Sequence, residues 1–198
     1  MNPRWLIVAG IGLVIAALSI VVARRPSISP AESRLFHAVN GLPDQLYPFL
    51  WLPMQLGNLV VGTAVGLLVA LVDGDLIVAI GVVLATVLKL VVERVVRREM
   101  SDHLAVRQRP GTSQVDPVLR GDVPSSGPSF PSGHVILVAG IGCVVAANLP
   151  SNWWSVPIVL TALVMVGRVY VGAHNPLDVT AGLGAGLVLG GAVATLVN

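Results

Sequence analysis

The chain is 198 residues long, 55% hydrophobic and 11% charged, with a formal charge of +2 and a mean hydropathy of +0.84. That length suits one domain, and so few charges among so many apolar residues exclude a soluble protein and make a nucleic-acid partner unexpected. The single Cys143 lies in an apolar run, which excludes an internal disulfide and leaves no basis for a thiolate metal site.

Residues 5–22 form an uncharged run close to the roughly 20 residues that cross a bilayer core. A cleaved leader is the competing reading, but no persuasive small-x-small site precedes Arg24-Arg25, so a retained first span is expected. The polar stretch 24–47 holds one amphipathic piece, 31–39, expected to lie on the surface, with His37 taking no chemical part. Residues 48–72 are expected to be the second span, although Pro53, Gln55 and Asn58 interrupt it. Polar groups at that depth need partners in the bundle or a wet cavity. After the turn Asp73-Gly74-Asp75, residues 76–96 return across the membrane and end among Lys89, Glu93 and Arg94. A polar loop is expected over 97–131. Its arginines, with Arg94, read most simply as positive charge flanking a span.

Pro131-Ser132-Gly133-His134 stands where this loop meets the next apolar run. A Ser-Gly turn that opens a helix offers free backbone N–H groups at the positive end of the helix dipole, so Ser132 and Gly133 read as an oxyanion cradle. His134 follows, with an imidazole able to exchange a proton near neutral pH. Farther along, Asn175-Pro176 is a helix-start signal that puts Asp178 in the first turn and His174 just before it. A carboxylate there can hold one ring nitrogen as a donor and leave the other free to attack. Arg168 supplies a fork-shaped cation suited to phosphate oxygens.

Spans are expected over 132–149, 153–171 and 176–197, giving an all-α integral membrane bundle of about six transmembrane helices in a single domain, 1–198. Trp153-Trp154 marks a headgroup level. Gly182, Gly186 and Gly190 form a small-residue ridge for close helix packing, within one chain or in a homo-oligomer. With alternating crossings, Lys89, the 97–131 loop, Ser132-His134, Arg168 and His174-Asp178 all fall at one membrane face. Eleven of the twelve Lys and Arg share that face, which the positive-inside tendency places in the cytoplasm.

Pro-Ser-Gly-His, followed after some thirty residues by Arg-x5-His-x3-Asp, resembles the second and third signatures of the type 2 phosphatidic acid phosphatase superfamily, which includes bacterial lipid phosphatases and vanadium haloperoxidases. The resemblance covers roughly the C-terminal two thirds of the chain. It implies that His174 is a nucleophile forming a phosphohistidine, that Asp178 orients it and that His134 protonates the leaving group. It also implies that Ser132, Gly133 and Arg168 bind phosphate oxygens. One departure is Gly167, where the family usually has Ser. Another is in the first signature, a Lys separated by six residues from Arg-Pro: Arg109-Pro110 is present, but the Lys position holds Asp102. Lys89, at a span end, is assigned to the site with an insertion separating it from Arg109; Arg97 is the competing partner.

Bland accounts exist for each residue alone: Asp178 and Ser132 as helix caps, His134 as an interfacial histidine, Arg168 as a snorkelling cation. They leave the joint spacing unexplained, and ionisable groups inside membrane segments default to function. The expected activity is that of a metal-independent phosphatase, without cofactor, acting on a phosphorylated lipid such as phosphatidate, a polyprenyl phosphate or diphosphate, or a glycosyl-polyprenyl phosphate. A cell-membrane location is expected. A phosphotransferase using the same intermediate and a non-catalytic lipid-binding protein are the alternatives; the apolar spans disfavour a haloperoxidase.

Overall fold

The computed structural model describes residues 3–25, 27–72, 74–103 and 107–198, and at 97 and 100–103 it describes the main chain alone. Among the described residues the chain forms nine α-helices and no strand. Its centre is α9 (Pro176–Val197), a helix with small residues along two edges. One edge receives α1 (Pro3–Ala23): a Cβ added at Gly184 would lie 2.6 Å from the Ala16 nitrogen, and one at Gly191 2.8 Å from the Trp5 carbonyl. The other edge receives α7 (Gly133–Asn148), where Cβ atoms at Gly182, Gly186 and Gly190 would meet the carbonyls of Ser132, Ile136 and Gly140 at 2.7, 2.8 and 2.5 Å. Without side chains at these positions the backbones approach to van der Waals distance, the packing that stabilises helices where lipid offers no hydrophobic gradient. The ridge is thus filled by the chain's own α7.

α1 is long and apolar enough to cross a membrane, with Leu6, Ile7, Leu13 and Val14 all more than half exposed on its outer side. Ser29 caps α2 (Pro30–Asn40) by accepting the Glu32 N–H. This surface helix is anchored by the buried Phe36 and by Asn40, which donates to the carbonyls of Val118 and Tyr170 at 2.8 and 2.9 Å. His37 is exposed.

The second apolar segment is not one straight span. α3 (Tyr47–Met54) and the turn that follows it are set at 76° to α4 (Leu59–Val72). Asn58 causes the break: it is extended, and its Oδ1 accepts the N–H groups of Val60 and Val61 as the cap of a new helix. Gln55 finds its partner one turn back, on the Trp51 carbonyl. The polar residues that interrupt the run therefore cap its two pieces.

α5 (Leu76–His103) continues as a helix seven residues past the expected end at 96, so the start of the polar segment 97–131 is helical. No Gly or Pro follows Gly81 in it, and Lys89 and Glu93 pair at i,i+4. The side chains of Arg97, Asp102 and His103 lie outside the described residues. A one-turn helix, α6 (Pro110–Ser113), and a looped segment lead to α7; α8 (Ser155–Tyr170) then brings the chain back to the start of α9. Valines and alanines of α5 pack on Leu137, Ile141 and Val144 of α7 and on Val193 of α9.

Candidate active site

The turn between α8 and α9 is built entirely by local rules. Gly172, at φ +75°, ends α8 in a left-handed conformation. The Gly172 N–H bonds the Val169 carbonyl and the Ala173 N–H the Arg168 carbonyl, the Schellman pattern. Two residues later Asn175 starts α9, with Asp178 at the third helical position reaching back to accept the Asn175 N–H at 2.8 Å. The turn thus places Arg168, His174 and Asp178 at one end of the bundle, with His174 and Asp178 buried. The His174 Nδ1 is 3.9 Å from the Asp178 Oδ2, longer than a hydrogen bond. Burial lowers the tendency of His174 to take a proton, and the charges of Arg168 and Arg109 add to this while Asp178 opposes it. Burial thus favours the neutral ring.

Arg107 and Arg109 come from the looped segment. The Ser129 N–H donates to the Arg107 carbonyl and the Arg109 N–H to the Gly127 carbonyl, so 107–109 runs extended beside 127–129. Residues two apart on an extended chain share a face, and both arginines turn inward. The Arg107 Nε donates to the second Asp178 oxygen at 3.1 Å, and its Nη2 to Glu32 of α2 at 2.6 Å. Glu32 also accepts the Leu177 N–H at the start of α9. Arg109 donates to the Ala173 carbonyl at 2.9 Å, beside His174. Asn175 fastens the same segment: it donates to the Gln108 carbonyl and the Ser113 hydroxyl, and accepts from Gln114.

α7 supplies the opposite wall. Ser132 precedes its first turn but makes no side-chain cap bond, and its buried hydroxyl oxygen has no partner. The cap account of Ser132 therefore does not hold. Gly133 lies close to Glu93: an added Cβ would sit 2.8 Å from both carboxylate oxygens, and the same carboxylate holds Lys89 at 2.5 Å. His134 packs against the break before α4, where a Cβ at Gly57 would fall 2.6 Å from the His134 Cβ. Arg168, Lys89 and Arg109 all lie close enough for their charges to act on His134. Among the described residues four buried side-chain nitrogen or oxygen atoms lack a hydrogen-bond partner, and three are here: Ser132 Oγ, Arg168 Nε and His174 Nδ1.

The structure therefore brings together Lys89, Arg109, Ser132, Gly133, His134, Arg168, His174 and Asp178, drawn from distant parts of the chain. Lys89 and Arg109 meet at one site despite the nineteen residues between them; the Arg97 side chain lies outside the described residues. Gly167 fits its surroundings as glycine, since a Cβ there would strike Met54 at 2.7 Å. Sequence reasoning passed over Arg107, Glu32 and Glu93. Arg107 carried a signal, the Arg-x-Arg spacing on an extended stretch, whereas Glu32 is 75 residues from its partner and had none. Arg120 is a structural clamp, donating to the carbonyls of Asn40, Leu42 and Tyr170 and to Asp44 while lying 4.1 Å above the Tyr170 ring.

A sequence profile of the PAP2 superfamily matches residues 74–198. An undecaprenyl-diphosphatase of Sulfolobus acidocaldarius is 34% identical over 88 residues, 44% of this chain and 42% of that protein. A decaprenylphosphoryl-5-phosphoribose phosphatase of Mycobacterium tuberculosis is 28% identical over 120 residues, 60% of this chain and 58% of the other. The chain thus spans about half the length of these curated relatives. The fold matches Aquifex aeolicus LpxE with a TM-score of 0.64 at 22% identity, over 82% of this chain and 93% of that one. It also matches a transmembrane PAP2-type phosphatidylglycerolphosphate phosphatase of Bacillus subtilis with a TM-score of 0.63 at 19% identity, over 98% and 96% of the two chains.

Proposed function

This integral membrane chain belongs to the PAP2 superfamily, and from that premise we propose that it is a lipid phosphatase of the cell membrane acting on a polyprenyl phosphate or diphosphate. The observation that carries the reading is the convergence of Lys89, Arg109 and Arg168 with the unpartnered Ser132 hydroxyl around two histidines at one end of an apolar bundle. Cations and hydroxyl donors fixed in a water-poor site stabilise charge that spreads over phosphoryl oxygens in the transition state. Both sequence relatives bear names of phosphatases for long-chain polyprenyl phosphates, which supports that substrate class.

In the proposed reaction the neutral His174 Nε2 attacks phosphorus in line. The bond to the leaving oxygen breaks, and that oxygen takes a proton from His134. Asp178, steadied by Arg107 and the Asn175 N–H, faces the His174 Nδ1 and stabilises the charge the ring acquires. Water then attacks the phosphohistidine as His134 accepts its proton, releasing inorganic phosphate and restoring both rings. The test is release of inorganic phosphate by the purified protein from undecaprenyl diphosphate, undecaprenyl phosphate, decaprenylphosphoryl-5-phosphoribose and phosphatidate. Turnover of a prenyl substrate with an acid-labile phosphoprotein is expected. Absence of phosphate release from every member of the panel overturns the reading, and phosphate appearing only in a new ester identifies a transferase.

A further inference from the structure

A cavity of about 410 Å³ lies between α1, α7, α8 and α9, away from the candidate active site. Its size is within the roughly 300–1,000 Å³ of small-molecule sites. The walls are apolar, among them Val8, Ala139, Ala146 and Leu187, and no acidic residue lines it. Ile11 and Ile158, at its flanks, are 52% and 67% exposed, so it is open to the bilayer from the side. Its inner end closes on Met165 and Leu183, which pack into a cluster with Val135, Val164 and Val179 that walls it from the histidines. Trp154 at its outer end and Arg168 are fourteen residues apart along α8, about 21 Å of helix rise. The outer end of the cavity therefore lies toward the membrane face opposite the histidines.

That outer end carries a cation and an indole N–H. Arg4 places its guanidinium 5.8 Å from the centre of the Trp154 ring, and Trp5 packs on Trp154 at 5.8 Å between centroids. Trp5 is 6% exposed, and its indole Nε1 is the fourth buried side-chain atom without a hydrogen-bond partner. A buried N–H without an acceptor is costly to keep. A cation and an unsatisfied donor at headgroup level, above an apolar groove without acids, complement an anion that carries a hydrocarbon chain. We propose that the cavity binds one acyl chain of an anionic phospholipid from the leaflet opposite the candidate active site, with the lipid phosphate held between Arg4 and the Trp5 N–H.

The proposal does not depend on the phosphatase reading and is tested without turnover. The purified full-length protein is titrated with phosphatidylglycerol and phosphatidylcholine of identical chains, and lipid retained per protein is counted by native mass spectrometry. One phosphatidylglycerol should be held about tenfold more tightly than phosphatidylcholine, a difference of about 1.4 kcal/mol. Arg4→Gln and Trp5→Phe should each reduce that preference severalfold. Ala162→Phe, at an exposed position on the cavity wall, should reduce retention of both lipids. Equal retention of the two lipids by the wild-type protein overturns the proposal. So does a preference that survives the combined Arg4→Gln and Trp5→Phe changes, or retention unaffected by Ala162→Phe in a protein that elutes and melts as the wild type does.

Discussion

The turn at 167–178 and the segment from Lys89 to Arg109 contribute cations to the same site by opposite means. The first is a Schellman stop, a two-residue link and a capped helix start, so Arg168, His174 and Asp178 are positioned by hydrogen bonds spanning at most six residues. The second separates Lys89, on a long helix, from Arg109, in a loop held by Gly127, Ala173 and Asn175. Local rules write a motif compactly, because each residue's neighbour in space is also its neighbour in sequence. A site half built by tertiary contact tolerates an insertion between its parts, provided that the contacts survive.

The sharpest way to break the comparison is at the local end. His174→Ala should lower kcat by at least about 10⁴-fold, as expected when a covalent nucleophile is removed, and should leave no acid-labile phosphoprotein. Retained phosphate release would show that the ring only supports the site. At the tertiary end, Arg107→Ala strands two carboxylates, Asp178 and Glu32, and should cost about 3–5 kcal/mol of stability, the scale for a broken buried ion pair. Thermal unfolding in detergent reads this. Adding Glu32→Gln should recover part of the loss, and no recovery would mean that Arg107 matters through packing alone.

Lys89→Ala and Arg109→Ala should each reduce kcat/KM by roughly 10²–10³, the scale for loss of one oxyanion-type contact. A silent Arg109→Ala would place the first signature's arginine elsewhere on the chain. Smaller effects test the balance of charge. Glu93 neutralises Lys89 and lies against Gly133, so Glu93→Gln should tighten competitive inhibition by inorganic phosphate about fivefold, from roughly 1 kcal/mol of removed repulsion. An unchanged inhibition constant would show that the carboxylate does not face the anion. Last, because burial and the neighbouring cations lower the affinity of His174 for a proton, its neutral form persists below the ordinary histidine value of about 6.5. The rate of phosphoenzyme formation should therefore hold as pH falls through 6.5 and decline only at lower pH; a midpoint at 6.5 would contradict the effect of burial.

Much of this protein is legible in its residues alone. Composition demands a membrane bundle, since 55% hydrophobic residues cannot be buried in a soluble core of this size. Asn175-Pro176, the glycine spacing of the last helix and the Pro-Ser-Gly-His run specify their local geometry because caps, turns and helix ridges act over a few residues. Tertiary structure alone decided what depends on chain segments meeting. It set the 76° break that brings Gly57 against His134, and it filled the glycine ridge with α7. It tied Arg107 across to Glu32 and Asp178, although in sequence Arg107 is one arginine among the six at 93–130. It also turned Lys89, Arg107, Arg109, Arg120 and Arg168 inward, while Arg24, Arg25, Arg34, Arg94 and Arg98 stay exposed. A side chain's partner 75 residues away is chosen by packing and leaves no periodicity to read.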